Sequence, residues 1–465
     1  MTSRVDVVEK PSNDKKSKTE ALRQTLKVQL DYDQLTNCMR CGFCLPACPT
    51  FKITGMEAES PRGRISLMKA AVDGLMEPGI AFEDQMNHCL GCRACEPACP
   101  ADVKYGQLIE QAKDAIEKHT TQHRTWVKGL RYMMLKKVVP NQKRMQLVGR
   151  GLQLYKKSGL QKFVQKTGAA AVLSAHMKDM EMVIPDGSGK GVVEQLGTFI
   201  PAKGIAEKVA TVAMFRGCMM DTMFYETNRK TIALLSEAGF DIVIPETQRC
   251  CGAMQAHSGE VDVAKAQARD NIKAFRNSGA DFIVSNAGGC GALLVEYDIL
   301  LKDEPEYQAD ATWFAKRVLD VSTLLMKHGR KLTYHYNTSG ETTTLPIVTY
   351  QDSCHLRNVM KGGEAPRQLL KQVSGIQLVE MKAASSCCGS AGTYNLTQPE
   401  MANQILEHKM CDVNETMANR IITSNPGCQL QMQLGVNKHG NNNEIIVEHI
   451  IDFLYDCLQR VERVE

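Results

Sequence analysis

Residues 38–49 of this chain read CMRCGFCLPACP, and residues 89–100 read CLGCRACEPACP. Both runs have the spacing Cys-x2-Cys-x2-Cys-x3-Cys-Pro, which is the ligand pattern of bacterial proteins that bind a pair of [4Fe-4S] clusters. Three thiolates can converge on a cluster from one tight loop, while the fourth comes from further along the chain. Zinc usually takes ligands in two separated pairs, and disulfides require an oxidising compartment, so the spacing favours clusters over both alternatives.

In two-cluster ferredoxins the fourth cysteine of each run binds the other cluster. This crossing rule predicts two ligand sets, each with three cysteines from one run and one from the other. The first set is Cys38, Cys41, Cys44 and Cys99, and the second is Cys89, Cys92, Cys95 and Cys48. We therefore expect electron transfer to be central to the function.

Length and composition indicate a globular protein of several domains. A chain of 465 residues is expected to hold two to four domains, and its 43% hydrophobic content is ordinary. No apolar run approaches the length of a membrane-spanning helix. Residues 1–20, MTSRVDVVEKPSNDKKSKTE, carry charges where a secretory signal needs an apolar core. We expect residues 1–30 to be a flexible tail of a cytoplasmic protein, in which so many cysteines favour metal over disulfides.

A strongly basic segment follows the second cysteine run. No acidic residue occurs between Glu117 and Asp179, whereas lysine and arginine are frequent and apolar residues recur at helical spacings. We expect amphipathic helices interrupted near Pro140. Such helices can rest on anionic lipid headgroups, which predicts peripheral contact with the cytoplasmic face of a membrane. The alternative is a connector whose basic face is solvated or binds an acidic partner subunit.

The second half of the chain is an internal duplication of a four-cysteine pattern. The first copy contains Cys218, Cys250, Cys251 and Cys290, and the second contains Cys354, Cys387, Cys388 and Cys428. At each of the three cysteine motifs, almost the same length of chain separates the first copy from the second. Such a constant offset indicates two tandem copies of one unit.

Each copy alternates short β-branched runs with helical patterns, which predicts parallel βαβ units. The predicted strands are 212–215, 240–244, 281–284, 347–350, 376–379 and 420–423, and each precedes a cysteine-bearing loop. Ligands of such sheets collect beyond the carboxyl ends of the strands. We therefore expect the four cysteines of each copy to converge there. Adjacent glycines such as Gly252 and Gly389 allow the backbone to approach a bulky group closely.

Taken together, these motifs resemble the iron-sulfur subunits of bacterial glycolate oxidase and related lactate-oxidising proteins. The resemblance rests on the two ferredoxin runs, on SPRGRI at 60–65, and on the paired repeats that end in SCCGSAGTYNL and NPGCQLQ. It extends from about Tyr32 to Val461. The segment Ser60-Pro61 also has the form of a helix N-cap followed by proline at the first helical position.

The resemblance implies a multidomain α and α/β fold, in which a helical two-cluster ferredoxin domain precedes two tandem α/β CCG domains. The boundaries we expect are a tail at 1–30, the ferredoxin domain at 31–115, a basic helical connector at 116–205, and CCG domains at 206–340 and 341–465. In this family a separate FAD-binding subunit oxidises the 2-hydroxy acid, and the iron-sulfur subunit passes the electrons to a quinone or another acceptor. No catalytic residue is then expected on this chain.

Related CCG proteins include the iron-sulfur subunit of anaerobic glycerol-3-phosphate dehydrogenase and heterodisulfide reductase. In the latter, each repeat ends in Cys-x-x-Cys, which provides five cysteines for a cluster that cleaves disulfides. Here the corresponding positions are Leu293 and Gln431, which argues against that chemistry. Four thiolates per repeat suit one or two further iron-sulfur clusters, although tetrahedral zinc remains an alternative because adjacent cysteines are an awkward pair.

Other motifs are missing. No Gly-x-Gly-x-x-Gly or Walker motif lies where a strand meets a helix, so the flavin that a hydride-removing reaction requires must come from another chain. No nucleic-acid-binding motif is present either. The sequence leaves glycolate, lactate and glycerol 3-phosphate open as substrates. Cys411, in an expected helix 399–413, and Cys457, in an expected helix 445–461, fit no motif and are expected to be buried apolar thiols.

Overall fold

A computed structural model describes residues 13–120, 125–167, 175–204, 207–337, 345–441 and 444–459. The chain divides into two units. The N-terminal unit consists of Met1–Gly91, Cys95–Lys128 and His257–Glu260. The C-terminal unit consists of Cys92–Ala94, Gly129–Ala256 and Val261–Glu465. The expected connector from Gly129 onwards and both cysteine repeats, apart from His257–Glu260, therefore belong to the C-terminal unit.

The N-terminal unit is helical. Its helices are Asn13–Gln29, Tyr32–Thr36, Pro49–Thr54, Pro61–Val72, Ile80–Asn87 and Tyr105–His119, with a 3₁₀ turn at Glu57–Glu59. Ser60 caps the helix Pro61–Val72, because its hydroxyl oxygen accepts a hydrogen bond from the Gly63 amide at 3.0 Å, as the sequence predicted. The apolar side chains of these helices form one core around Met68 and Leu108.

The expected tail at 1–30 differs from the structure over most of its length. Asn13–Gln29 is a helix, and its Leu22 and Leu26 are buried in the core of the N-terminal unit. Leucines at positions i and i+4 lie on one helical face, and burying that face stabilises a segment whose many charges suggested disorder. Residues 1–12 lie outside the described residues.

The basic segment forms a series of helices that are interrupted at Pro140, as predicted. They are Thr125–Arg131, the π-helical Tyr132–Val138, Gln142–Lys157, Leu160–Thr167, Ala175–Met182 and Val192–Leu196. The helix Gln142–Lys157 starts at a new N-cap, where the Asn141 side chain accepts a hydrogen bond from the Arg144 amide at 3.1 Å.

The first cysteine repeat is built on a five-stranded sheet in the order β1-β3-β2-β4-β5. Its strands are β1 Phe199–Ile200, β2 Ala210–Phe215, β3 Phe240–Val243, β4 Phe282–Ser285 and β5 Val318–Asp320. Among these described strands only β1 is antiparallel, and it pairs with the edge of β3. The helices of this part are Met219–Thr222, Tyr225–Glu237, Ala253–His257, Val261–Arg276, Gly288–Leu294, Tyr297–Leu300, Pro305–Ala315 and Val321–Lys327.

The second repeat is built on a parallel four-stranded sheet in the order β11-β10-β7-β9, and a short pair β6-β8 lies outside it. The strands are β6 Tyr334–His335, β7 Ile347–Gln351, β8 Val373–Ser374, β9 Gln377–Leu378, β10 Arg420–Thr423 and β11 Ile446–His449. The helices are Cys354–Asn358, Glu364–Lys371, Tyr394–Thr397, Pro399–Glu415, Pro426–His439 and Ile450–Asp456. The parallel arrangement predicted from the βαβ pattern is confirmed in both repeats.

One expectation for this unit requires correction. The helix expected at 445–461 is instead the strand β11 followed by the helix Ile450–Asp456. Its β-branched start pairs with β10, and this tertiary pairing overrides the helical pattern. The two repeats also share one hydrophobic core, in which Val212 and Ile242 of the first repeat belong to the same cluster as Ile422 and Phe453 of the second. The two repeats therefore contribute to one common core.

Candidate metal centres

The first cysteine run lines a cavity of the N-terminal unit. Its volume is about 420 Å³, including space open to solvent. The five cysteines that line it are Cys38, Cys41, Cys44, Cys95 and Cys99. Four of them are the set assigned to the first cluster, and two, Cys95 and Cys99, come from the other run. A thiol-lined cavity of this kind has the donor atoms that an iron-sulfur cluster needs.

The loop between these cysteines has a backbone suited to wrapping around a large group. Arg40 and Gly42 have φ values of 56° and 91°, so successive amides can turn towards the cavity. Arg62 holds the loop, since its Nη1 donates to the Arg40 carbonyl at 2.9 Å and its Nε to the Glu57 carboxylate at 2.7 Å. A Cβ on Gly42 would lie 2.9 Å from Arg62 Nη1. Cys41 itself is exposed.

The cysteines assigned to the second cluster have more enclosed surroundings. Cys48, Cys89 and Cys95 are buried, and Cys92 is half-buried. The Tyr105 hydroxyl donates to Cys89 Sγ at 3.5 Å, and Lys113 Nζ donates to the Cys89 carbonyl at 2.8 Å. Burial opposes ionisation of the Cys89 thiol, but the nearby cations Arg64 and Lys113 outweigh it and lower its pKa. These surroundings favour a thiolate.

A buried ion pair lies behind these cysteines and was not predicted from the sequence. Arg64 is 1% exposed, and it donates to the Glu59 carboxylate at 2.5 Å and to the Glu59 carbonyl at 2.6 Å. The other oxygen of Glu59 is 2.7 Å from His88 Nδ1, and this hydrogen bond raises the pKa of His88. The only signal in the sequence was the SPRGRI segment, which contains two arginines, Arg62 and Arg64, but does not indicate which one is buried.

In the first repeat, four thiols converge at the carboxyl edge of the sheet. Cys218 follows β2, the pair Cys250 and Cys251 follows β3, and Cys290 lies beyond β4. Cys218 Sγ is 3.4 Å from Cys250 Sγ, and contacts continue from Cys250 to Cys251 and from Cys251 to Cys290. The hydrogen bond with Cys250, together with burial, raises the pKa of the Cys218 thiol well above its usual range.

The second repeat has the same arrangement. Cys354 follows β7, Cys387 and Cys388 follow β9, and Cys428 follows β10. Hydrogen-bond contacts link Cys354 to Cys387, Cys387 to Cys388, and Cys388 to Cys428. The structure therefore brings together each set of four cysteines that the duplication predicted. In the described ranges, no three His, Cys, Asp or Glu side chains are arranged around a single-ion position.

A glycine behind each cysteine pair allows the loop to approach a helix closely. Gly252 and Gly389 have φ values of 91° and 90°. A Cβ on Gly252 would lie 3.1 Å from Ala264 Cα, and a Cβ on Gly389 would lie 2.7 Å from the Ala402 carbonyl oxygen. A side chain at either position would therefore strain the backbone and push the cysteine pair away from the helix.

The positions of a fifth cysteine are occupied by buried residues in both repeats. Leu293 is 4% exposed and packs in the hydrophobic core. Gln431 is 1% exposed, and its Oε1 accepts a hydrogen bond from Asn395 Nδ2 at 3.0 Å. Neither side chain offers a thiolate, so each repeat has four cysteines.

The two remaining cysteines differ from each other. All 18 cysteines are free thiols. Cys457 is buried, as expected, at the C-cap of the helix Ile450–Asp456. Cys411 lies in the helix Pro399–Glu415, but it is exposed, so the expectation of a buried thiol was wrong there. It falls on the solvent side of a helix whose opposite face is buried.

The basic connector has an apolar and cationic face. On the helix Gln142–Lys157, Leu147 and Leu154 are 68% and 69% exposed and lie two turns apart on one face. The neighbouring cations of this helix include Lys143, Arg144, Arg150 and Lys157. Among the residues that the structure describes, no helix is long and apolar enough to span a bilayer.

Three sequence families match the chain. A 4Fe-4S dicluster domain matches residues 34–103, the linker region of glycolate oxidase iron-sulfur subunits matches 126–184, and the cysteine-rich CCG domain matches 212–295 and 348–433. These matches confirm the expected order of a dicluster domain followed by two CCG repeats.

Whole-chain similarity agrees with these matches. The chain is 46% identical over 437 residues to a probable glycolate oxidase iron-sulfur subunit of Bacillus subtilis, covering 94% of this chain and 97% of the relative. It is 28% identical to the glycolate oxidase iron-sulfur subunit of Escherichia coli, covering 95% and 98%. It is also 30% identical over 247 residues to lactate utilization protein A of Oceanobacillus iheyensis, covering 52% of this chain and 96% of that protein.

Proposed function

The chain belongs to the family of glycolate oxidase iron-sulfur subunits, and we propose that it conducts single electrons from FAD on a partner subunit to a quinone or another acceptor. The observation that carries this proposal is the convergence of cysteines at separate sites, a cavity in the N-terminal unit and one sheet edge in each repeat. An iron-sulfur cluster held by such cysteines supplies one-electron redox chemistry. The substrate of the partner would be glycolate or lactate.

The role of this chain is to hold and shield the redox groups. We assign Cys38, Cys41, Cys44 and Cys99 to one [4Fe-4S] cluster, and Cys89, Cys92, Cys95 and Cys48 to a second. The exposure of Cys41 supports electron exchange with a docked partner at the first site, because transfer rates fall steeply with distance. The burial of Cys48, Cys89 and Cys95 limits the access of water and oxygen to the second.

We also propose that the four thiols of at least one repeat hold a further iron-sulfur cluster. A double substitution, Cys250→Ala with Cys251→Ala, should lower the iron content per chain, with Cys411→Ala as the matched control, because Cys411 is exposed and belongs to no cysteine group. The corresponding pair in the second repeat is Cys387→Ala with Cys388→Ala. An iron count unchanged by both pairs would remove clusters from the repeats. Zinc in place of iron in the wild-type protein would have the same consequence.

The electron-transfer role can be tested with the purified chain and its flavoprotein partner. With glycolate or lactate present, visible absorbance of the clusters should bleach only when the flavoprotein is added, since this chain has no flavin-binding motif. Dithionite should bleach the chain in both cases, which shows that the clusters are intact. Bleaching of the isolated chain by substrate alone would contradict the proposal.

We further propose that the connector rests on the cytoplasmic surface of a membrane, where a quinone acceptor is available. Its exposed leucines at 147 and 154 can enter the headgroup region while neighbouring lysines and arginines contact anionic lipids. An acidic partner protein would satisfy the charges but would leave less reason for two exposed leucines on the same face.

Vesicle sedimentation tests this surface. The chain should pellet with vesicles containing phosphatidylglycerol, and both Leu147→Ser with Leu154→Ser and added salt should reduce the pelleted fraction. The control Leu345→Ser changes an exposed leucine outside the connector. Equal sedimentation of the wild type and the connector variant would contradict lipid contact.

A further inference from the structure

The duplication aligns an asparagine in the first repeat with a lysine in the second. Asn271 precedes Lys409 by the same length of chain that separates Cys290 from Cys428. Asn271 lies on the helix Val261–Arg276, and Lys409 lies on the helix Pro399–Glu415. Each helix packs behind the cysteine pair of its own repeat.

The two helices match in three dimensions as well. Gly252 faces Ala264 in the first repeat, and Gly389 faces Ala402 in the second. The two alanines have the same separation along the chain as Asn271 and Lys409. The asparagine and the lysine are therefore equivalent positions of the two repeats.

Asn271 is an uncharged residue that holds the backbone at the first cysteine pair through hydrogen bonds. It is fully buried, and its Nδ2 donates to the Cys250 carbonyl at 3.0 Å, while its Oδ1 accepts from the Arg249 amide at 2.7 Å. The Tyr297 hydroxyl also holds this backbone, because it donates to the Cys251 carbonyl at 2.8 Å. The backbone of the cysteine loop is thus fixed without any added charge.

Lys409 brings a positive charge to the same place in the second repeat. It is 2% exposed, and Nζ donates to the carbonyl of Ala383 and, at 3.5 Å, to that of Ala384. Among the described residues, no carboxylate lies within ion-pair distance of Nζ. A buried ammonium without a counter-ion is costly, because carbonyl dipoles replace only part of its hydration. A negatively charged group close to Lys409 Nζ would reduce this cost.

The cysteines of the second repeat are the natural source of that charge. Lys409 Nζ is hydrogen-bonded to the segment that leads to them, since Ala383 and Ala384 lie only a few residues before the pair Cys387 and Cys388. Cys388 is in the same buried cluster as Met410, the residue after Lys409. Four thiolates around an iron-sulfur cluster carry net negative charge, which would compensate the ammonium.

We propose that Lys409 is a positioning residue that stabilises a negatively charged iron-sulfur cluster in the second repeat and makes it easier to reduce than one in the first. This inference rests on the proposed function, specifically on a cluster in the second repeat. Reduction adds one electron and therefore one negative charge, and a fixed cation nearby stabilises the product more than the reactant. The neutral Asn271 offers no such stabilisation.

The test is an anaerobic redox titration followed by electron paramagnetic resonance, with iron counted per chain. It uses the full chain with Cys250→Ala and Cys251→Ala, so that the second repeat is the only repeat able to hold a cluster. In this background Lys409→Asn should lower the equilibrium constant for reduction of that centre at least tenfold, which corresponds to about 59 mV for one electron. Lys409→Arg keeps the charge and should shift it less. The ferredoxin centres should not move.

The iron content and the potential of these variants distinguish an effect of the charge on Lys409 from an effect of its packing. If Lys409→Asn retains iron and the centre titrates as before, the proposal is overturned. If iron is lost with Asn and kept with Arg, the charge is needed to hold the cluster, which supports the proposal. If iron is lost with both, Lys409 acts by packing and the proposal fails.

The reciprocal change, Asn271→Lys with the second repeat emptied by Cys387→Ala and Cys388→Ala, should raise the potential of the first-repeat centre. Failure of the premise has a separate signature. If Cys387→Ala with Cys388→Ala leaves the iron count of the otherwise wild-type chain unchanged, the second repeat holds no cluster, whatever Lys409 does.

Discussion

Both cysteine repeats have an ion pair at equivalent positions, but the arginine and the aspartate have changed places between them. In the first repeat Arg216 pairs with Asp221 at 3.6 Å, and in the second Asp352 pairs with Arg357 at 2.8 Å. Each partner is separated from its counterpart by the same length of chain as the first cysteines of the two repeats. Because Coulomb attraction is symmetric, the duplicated backbone can exchange the two charges without changing its path. The thiols, which have to meet at one point, cannot be exchanged in this way.

The surroundings of the two pairs have diverged further. In the first repeat both side chains are buried, and Asp221 also accepts hydrogen bonds from the Val192 amide and from Gln142. In the second repeat Asp352 is buried, Arg357 is half exposed, and Arg367 adds a second cation at 2.8 Å. The two sites thus share a cysteine geometry but differ in electrostatic environment, and the following substitutions test this difference.

The largest effect is expected from Asp352→Asn. It removes the buried carboxylate that Arg357 and Arg367 share, although Glu380 still pairs with Arg367, and should lower the free energy of unfolding by about 3 kcal/mol. Asp221→Asn should cost less, about 1–2 kcal/mol, because its one arginine partner, Arg216, is 3.6 Å away rather than 2.8 Å. Burial also raises the pKa of Asp221, and its hydrogen bonds from Val192 and Gln142 can partly be kept. Anaerobic urea unfolding measures both. Equal losses would show that the two pairs are equivalent.

The second-largest difference in stability between the repeats is expected when Gly252 and Gly389 are each replaced by alanine. At φ values near 90° an alanine is strained by about 1–2 kcal/mol in either loop. Gly389→Ala should cost about 1–3 kcal/mol more than Gly252→Ala. Its Cβ meets a backbone carbonyl at 2.7 Å, whereas the nearest atom at Gly252 is a side-chain oxygen at 3.0 Å. Unfolding midpoints give the comparison, with Gly279→Ala as a control that has positive φ but open space. A larger loss at Gly252 would contradict this view of the packing.

The contact that His449 makes between the two repeats should give the folding stability a pH dependence. His449, from the second half, is fully buried, and its Nε2 lies 2.8 Å from the Asn286 carbonyl of the first repeat. Burial lowers its pKa to about 4, so between about pH 6.5 and 4 the unfolded chain binds a proton that the folded chain does not. The stabilisation from His449 is therefore complete above about pH 6.5 and decreases as the pH falls.

The measurement is the difference in unfolding free energy between the wild type and His449→Asn. It should be smaller at pH 5 than at pH 7 by about 2 kcal/mol. Burial raises the pKa of Asp320 and Asp452 to about 6, which gives both proteins the opposite pH dependence, and this contribution cancels in the difference. A difference that does not change with pH would show that His449 is not held neutral.

The smallest effect concerns a hydroxyl that only the first repeat possesses. Tyr297 is matched by Gly435 at the equivalent position of the second repeat. Tyr297→Phe removes the hydrogen bond to the Cys251 carbonyl and should cost about 1 kcal/mol. It should also speed the loss of iron to a chelator from the first repeat. Tyr350→Phe removes a buried hydroxyl that is bonded to Ser424 instead, and should leave that rate unchanged.

Local pattern predicted much of the fold. The strand 420–423 was predicted with the bounds that the structure has, and the other five agreed closely. Short β-branched runs and cysteine spacing are local properties of the sequence, so they can be recognised without knowledge of the tertiary structure. The helix Asn13–Gln29 and the strand β11 were missed because their stability depends on partners far away in the sequence, Tyr105–His119 and β10.

By itself, the sequence predicted which cysteines belong together, because ligand spacing and the constant offset between the repeats are properties of the linear sequence. Tertiary structure decided which charges surround them. Arg64 and Lys409 look like ordinary surface cations in the sequence, yet they are 1% and 2% exposed. Burial depends on what packs from elsewhere in the chain, and it is burial that turns a solvated charge into a strong influence on a neighbouring thiolate.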